Sequence, residues 1–333
     1  MDLDRYIATH QSGWERLGTL SDRARRSIRS LSPAELDEML GLYHRTSAHL
    51  SHARAQYADP ALTRRLTALV AKANVAVYGT KARSWRAFTT FFSHSFPAAV
   101  WQSRRFVLAA FVLTFLPAIV IALWIANSDA ALEASAPDAV RQAYVEQNFE
   151  EYYKSSPSAQ FATEVTVNNI RVAFLAFAGG ILFCVGTAYI LVSNGANVGY
   201  IAGWFVVADA QPFFYGLILP HGLLELTAVV IAGASGLRLG WAVIAPGDRT
   251  RGQSVAEEGK RAAVIVLGLV LVFIVAGTIE GFVTGSALPT FARVGIGLSV
   301  ELAFVSYVVV RGREATAQGW TGEMGEHLRL VKR

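Results

Sequence analysis

The sequence predicts an all-α, polytopic helical membrane protein. Five full transmembrane helices and one short half-helix are expected, with a cytoplasmic N-terminal helical domain. Three observations lead there. Apolar residues make up 53% of the chain, above the level of ordinary soluble domains. They are gathered into runs, and residues 106–128 are uncharged for 23 positions, enough for a helix to cross about 30 Å of hydrocarbon at 1.5 Å per residue. The first 105 residues, by contrast, hold sixteen Lys/Arg, eight Asp/Glu and no long uncharged stretch.

Residues 1–105 read as a cytoplasmic arm of soluble helices. Ser32-Pro33-Ala34-Glu35 is a start signal, with a capping serine, a proline suited to the first turn and a glutamate placed to close a capping box. Leu36, Met39, Leu40, Tyr43 and Leu50 then recur at helical spacing. Asp59-Pro60 breaks that helix. Leu62, Leu66, Leu69, Val70, Ala73 and Val77 begin another, which Tyr78-Gly79 ends. Phe88, Phe91, Phe92, Phe96 and Trp101, set among Arg83, Arg86, Arg104 and Arg105, suggest a segment lying on the inner leaflet.

Residues 106–310 form the expected transmembrane bundle. Residues 106–126, 172–193, 213–237, 262–281 and 294–310 are the full crossings, the last interrupted by Glu301. Residues 198–208 are only about 17 Å of helix, so they are expected to climb part of the way before the polar turn Asp209-Ala210-Gln211-Pro212.

Charge sets the orientation. The 127–171 connection carries three basic and seven acidic residues, whereas 245–261 carries four basic and three acidic. The tail, 311–333, has five basic and three acidic residues. Lys and Arg favour the cytoplasmic side, so both termini and 245–261 are expected inside, with 127–171 outside. The expected location is the cell inner membrane, and membrane lipids are the first partners. Topology accounts for the pI near 9.4 and no nucleic-acid partner is expected. Residues 1–10 are acidic and mixed and do not read as a signal peptide. Cys184 is the single cysteine, which excludes an intrachain disulfide.

Gly195, Gly199 and Gly203 are spaced by four, a pattern that lets membrane helices approach closely. Intramolecular packing is the simpler reading, and a homo-oligomer stays open. Pro220 and Gly222 flank His221 in Leu219-Pro220-His221-Gly222-Leu223-Leu224-Glu225. His221 and Glu225 share one helix face, at about 12 and 18 Å from the outer end of the crossing. Ionisable groups at such depth normally face a bundle interior or a wet cavity. Pro220 frees a carbonyl near Gly216, and the missing side chain there leaves room for water or a ligand. Glu280 and the Asn168/Asn169 pair fall at the outer ends of other crossings. With Asn194 they complete a candidate intramembrane polar cluster.

The chain contains no zinc-protease helix motif, nucleophile elbow, P-loop or dinucleotide-binding turn, so no catalytic residue and no cofactor are assigned. His221 and Glu225 supply two metal-type ligands at i and i+4, which alone leaves the metal question open.

Four motifs in order and spacing resemble the stage II sporulation protein M family. They are Asn168-Asn169-Ile170-Arg171-Val172-Ala173, Ser193-Asn194-Gly195 with Gly199, the segment around His221 and Glu225, and Ile279-Glu280-Gly281-Phe282-Val283-Thr284. Trp14-Glu15-Arg16-Leu17 and Leu42-Tyr43-His44-Arg45-Thr46-Ser47 resemble the arm found in non-sporulating actinobacteria. The resemblance implies a membrane scaffold more than an enzyme. In endospore formers the family member holds a peptidoglycan-degrading complex in the membrane. Elsewhere its relatives are encoded beside MoxR-type AAA ATPases, von Willebrand-A-like proteins and RDD-type membrane proteins, which implies membrane or envelope proteins as partners. The rival reading is a transporter or intramembrane enzyme built on His221, Glu225 and Glu280.

Overall fold

The computed structural model describes residues 2–27, 30–57, 59–78, 81–148 and 158–326. Among these residues all regular structure is helical, and the chain divides into two compact units, Met1–Phe88 and Thr89–Arg333. The helix end expected at Gly79, the middle of the 127–171 connection and the last seven residues of the tail lie outside the described residues.

The first unit is built from α1 (Leu3–Arg26), α2 (Pro33–Gln56) and α3 (Pro60–Tyr78). Its core gathers Trp14, Leu17, Leu20, Met39 and Leu66, all under 2% exposed. Leu40, expected on the buried face, is turned outward, and Leu42 is buried instead. The capping box forms as its spacing requires. Ser32 Oγ accepts from the Glu35 amide at 3.2 Å, and Glu35 Oε2 accepts from the Ser32 amide at 2.9 Å. Arg23 grips the same carboxylate at 2.5 Å, tying the end of α1 to the start of α2. These donors hold the Glu35 carboxyl at about 2, first through the Ser32 amide and then through Arg23.

After α4 (Lys81–Thr90), a wide π-helical turn (Phe91–Ser95) leads into α5 (Phe96–Gln102). Phe96, Ala98, Ala99 and Val100 are buried within the second unit. The Phe96 ring packs over Gly268, whose Cβ, had it one, would overlap it. The division between the two compact units falls at Phe88.

Five helices of the second unit are long and apolar enough to cross a membrane. They are α6 (Arg104–Ala126), α10 (Val185–Val207), α11 (Gln211–Ile244), α12 (Arg251–Ile279, continued to Thr284 by a π-helical turn) and α13 (Thr290–Ala317). Between α6 and α10 come the short α7 (Asp129–Ser135) and α8 (Asp138–Ala143), then α9 (Ser158–Ala178). A shorter apolar helical stretch, Thr166–Leu182, accompanies the five. The count of five long helices and one short one agrees with the expectation, but the short one lies elsewhere. Residues 172–193 are not one crossing, and 198–208 are not a half-helix. The helix breaks at Phe183 and Cys184, both in the left-handed region at φ 51° and 71°, and α10 then runs unbroken through Asn194 to Val207.

That reversal is held by contacts remote in sequence. Thr187 Oγ1 donates to the Ala176 carbonyl across the break at 2.7 Å, and Cys184 Sγ approaches the Leu237 carbonyl at 3.2 Å. Left-handed backbone costs roughly 1–2 kcal/mol per ordinary residue, so the surrounding packing must over-determine it. Gly236 and Gly240 of α11 supply that packing. A side chain at either would overlap the backbone of residues 176–184.

The glycine spacing Gly195, Gly199, Gly203 is used within the chain. A Cβ at these positions would overlap Thr114, Ala118 and Ile125 of α6 in turn. The numbers rise together, so α6 and α10 run parallel. Leu191 meets Gly233 and Thr187 meets Gly236, so α10 and α11 run antiparallel. Gly297 meets Pro220 and Thr290 meets Gly216, which makes α11 and α13 parallel. α6, α10 and α12 thus run one way and α11 and α13 the other. Gln102 Nε2 donates to the Trp320 carbonyl at 3.0 Å, beside a buried ion cluster that sequence reading did not foresee. There Glu258 accepts from Arg238 at 2.7 Å and from Arg261, which also donates to the Thr321 carbonyl at 2.8 Å.

Candidate functional site

Near the opposite end of the bundle, α11 and the π-helical turn after α12 bring three titratable side chains together. His221 lies ten residues into α11, about 15 Å along its axis, and Glu225 follows one turn later on the same face. The wide turn Glu280–Thr284 sets Glu280 and Thr284 opposite them. One ligand-type atom from each of His221, Glu225 and Glu280 lies within 4.8 Å of the others. The His221 and Glu280 side chains are 4% and 3% exposed, and Glu225 is 9% exposed.

The two imidazole nitrogens face different partners. Nδ1 is 3.1 Å from Thr284 Oγ1, and Nε2 is 3.5 Å from Glu280 Oε1. Arg293 donates to the Thr284 carbonyl at 2.5 Å and to Thr290 Oγ1 at 3.2 Å, so the hydroxyl that meets His221 sits on a pinned turn. The Asn169 side chain of α9 stands near the Glu225 carboxyl. Among the described residues, Glu225 Oε1 and Glu280 Oε2 are buried with no hydrogen-bond partner. A buried polar atom left this way is costly, and two adjacent carboxylates are costlier still.

Sequence reasoning named His221, Glu225, Glu280 and Asn169, and the fold brings all four together. Asn168, one residue along the helix, is exposed. Asn194 does not join them. It is half-buried on α10, and no hydrogen bond links it to the cluster among the described residues. Its place follows from the corrected course of α10, whose Gly195 is committed to α6. Pro220 and Gly222 are buried in α11, and the backbone of Pro220 is met closely by Gly297. The open notch expected beside Gly216 is filled, because the Thr290 methyl covers it. Thr284, Thr290 and Arg293 were missed as supporting residues. The Glu280/Thr284 spacing of four was the available signal for the first, while the other two needed the return of α13. Glu301, noted only as an interruption, accepts from Thr227 Oγ1 at 2.7 Å.

A separate open cavity of about 450 Å³ lies where α10 ends. It is lined by Asp138, Arg141, Gln142 and Glu146 together with Trp204 and Val207. Trp204 Nε1 donates to Ser135 Oγ at 2.9 Å, which ties α7 to α10 beside it.

The sequence profile described as Stage II sporulation protein M matches residues 111–285. That stretch contains every residue of the cluster. A second profile, described as a domain of unknown function (DUF8413), matches residues 4–79, within the first compact unit. An uncharacterized protein of Methanocaldococcus jannaschii is 30% identical over 131 residues, which make up 38% of this chain and 74% of that protein. No solved structure matches.

Proposed function

The chain belongs to the stage II sporulation protein M family, and we propose that it serves as an integral membrane scaffold. In this reading it assembles a membrane or cell-envelope complex of the peptidoglycan-remodelling type. The observation that carries the reading is the two-part build. A helical arm with its own core precedes a multi-pass bundle, so one chain offers a folded surface outside the membrane and another within it. The basic balance of residues 1–105 and of the tail supports placing both on the cytoplasmic side of the inner membrane. Partners of the kinds encoded beside family members, a MoxR-type ATPase and an RDD-type membrane protein, fit that arrangement. Membrane lipids cover the exposed apolar faces of α6 and α13, where Leu116, Ile119, Leu123 and Leu302 point outward.

A second reading is favoured by one observation, the convergence of His221, Glu225 and Glu280 inside the bundle. It makes the protein a transporter or an intramembrane enzyme acting at that cluster. Purification of the full chain in mild detergent separates the two. A stoichiometric protein partner supports the scaffold. A bound small solute without a protein partner overturns it in favour of the second reading.

A further inference from the structure

We infer that His221, Glu225 and Glu280 form a binding site for one divalent first-row transition-metal ion of the zinc or manganese class. This goes beyond the scaffold reading and does not depend on it.

The ligand chemistry is the first ground. One imidazole and two carboxylates are a nitrogen and oxygen set suited to such ions. Ligand atoms of one ion, each bonded at about 2.1 Å, lie about 3–4 Å apart, according to the angle between them. The three ligand atoms are within 4.8 Å of one another, so closing on an ion takes only small side-chain adjustments. The second ground is unmet demand. Glu225 Oε1 and Glu280 Oε2 are buried without a partner among the described residues, and two carboxylates excluded from water require a cation or a proton between them.

The outer partners are the third ground. A metal-binding histidine is normally held by a hydrogen bond at its other nitrogen, and ligating carboxylates are hydrogen-bonded in turn. Thr284 stands at His221 Nδ1 and leaves Nε2 on the side of Glu280. Asn169 stands near the Glu225 carboxyl. The π-helical turn that presents Glu280 and Thr284 is a rare local geometry, frequent at functional sites. Three protein ligands leave at least one coordination position for water or another ligand, as the second functional reading would need.

The test uses the full chain in mild detergent with a histidine-free tag, stripped by a chelator and then titrated with Zn²⁺ and separately with Mn²⁺. Metal content is read by mass spectrometry after gel filtration. About one equivalent of one of the two ions should remain bound per chain. Glu225→Gln and Glu280→Gln should each weaken that binding by at least ~10-fold, while a His10→Gln/His49→Gln variant should bind like the parent. X-ray absorption of the metal-loaded parent chain should show a single imidazole among oxygen ligands, a readout that needs no variant to fold. Absence of both metals from the parent chain at tens of micromolar would overturn the inference and leave a shared proton as the cluster's counter-charge. So would unchanged binding in a variant carrying both Glu225→Gln and Glu280→Gln, or a shell of several imidazoles or of sulfur.

Discussion

His221 Nε2 lies 3.5 Å from Glu280 Oε1, joining the interior of one apolar helix to the end of the next. The contact requires α11 and α12 to run antiparallel with one register, and the Arg238–Glu258 pair at their other ends holds the same register. Thr284 is the lever on this contact. Thr284→Val keeps the shape and removes the hydroxyl, at an expected cost of about 1 kcal/mol. Thermal unfolding in detergent should show that loss. An unchanged midpoint would mean that the hydroxyl does not hold His221.

The α6–α10 contact is limited by backbone. A side chain at Gly195 would overlap the Thr114 carbonyl, whereas nothing lies within 4 Å of the corresponding position at Gly259. Gly195→Val is expected to destabilise by about 1–3 kcal/mol or to prevent folding. Gly259→Ala should be neutral or gain up to ~1 kcal/mol. Equal behaviour of the two variants in gel filtration and thermal unfolding would refute the close packing.

Buried and exposed ion pairs should differ sharply. The Glu258 side chain is 8% exposed and serves both Arg238 and Arg261. Glu258→Gln removes the charge that balances the buried Arg261 and the half-buried Arg238 guanidinium groups, at an expected cost of about 3–5 kcal/mol. Arg16, paired with Glu38 at 2.7 Å on an exposed surface, should cost under ~1 kcal/mol as Arg16→Gln. A Glu258→Gln protein as stable as the parent would refute the network.

The arm should weaken in acid in two steps. Burial and the neighbouring His10 ring lower the affinity of His49 for a proton, so the unfolded arm protonates first. Stability from this group is lost as pH falls below about 6.5, the ordinary histidine value. Glu35 titrates at about 2 in the folded arm, so its contribution is complete above about 4.5 and fades as pH falls from there. Hydrogen exchange of α1 and α2 in the full chain should report both steps. His49→Gln should remove the upper one and Glu35→Gln the lower.

Sidedness is open to direct labelling. In a Cys184→Ala background, Asp138→Cys should react with an impermeant thiol reagent in intact cells. Ser12→Cys should react only after lysis. Reaction of the Ser12 site from outside would invert the proposed orientation.

Much of the architecture was legible because membrane insertion is decided by local composition. A run such as 106–128 announces a crossing by itself, since every backbone group in hydrocarbon must bond within its own helix. The boundaries inside 172–208 were not legible. No charge or proline marks Phe183–Cys184, and glycines on α11 decide whether the chain can fold back there. The arm's capping box was readable because its partners are three residues apart. Its histidine pairing was not, since His10 and His49 meet only when α1 and α2 pack.

For the site, residue order alone puts a histidine and a carboxylate on one face of an apolar helix, because helical geometry places i and i+4 together. It also determined that an isolated charge at such depth would need company. Which of the nominated polar residues keep it company depends on how the helices pack. Glu280, Thr284 and Asn169 reach the pair from other helices, while Asn194, beside the Gly195 that meets α6, makes no hydrogen bond to it among the described residues. The physical reason is range. Hydropathy and helical spacing act over a few residues, whereas helix neighbours are set by which backbones can touch, and that depends on glycines far apart in the chain.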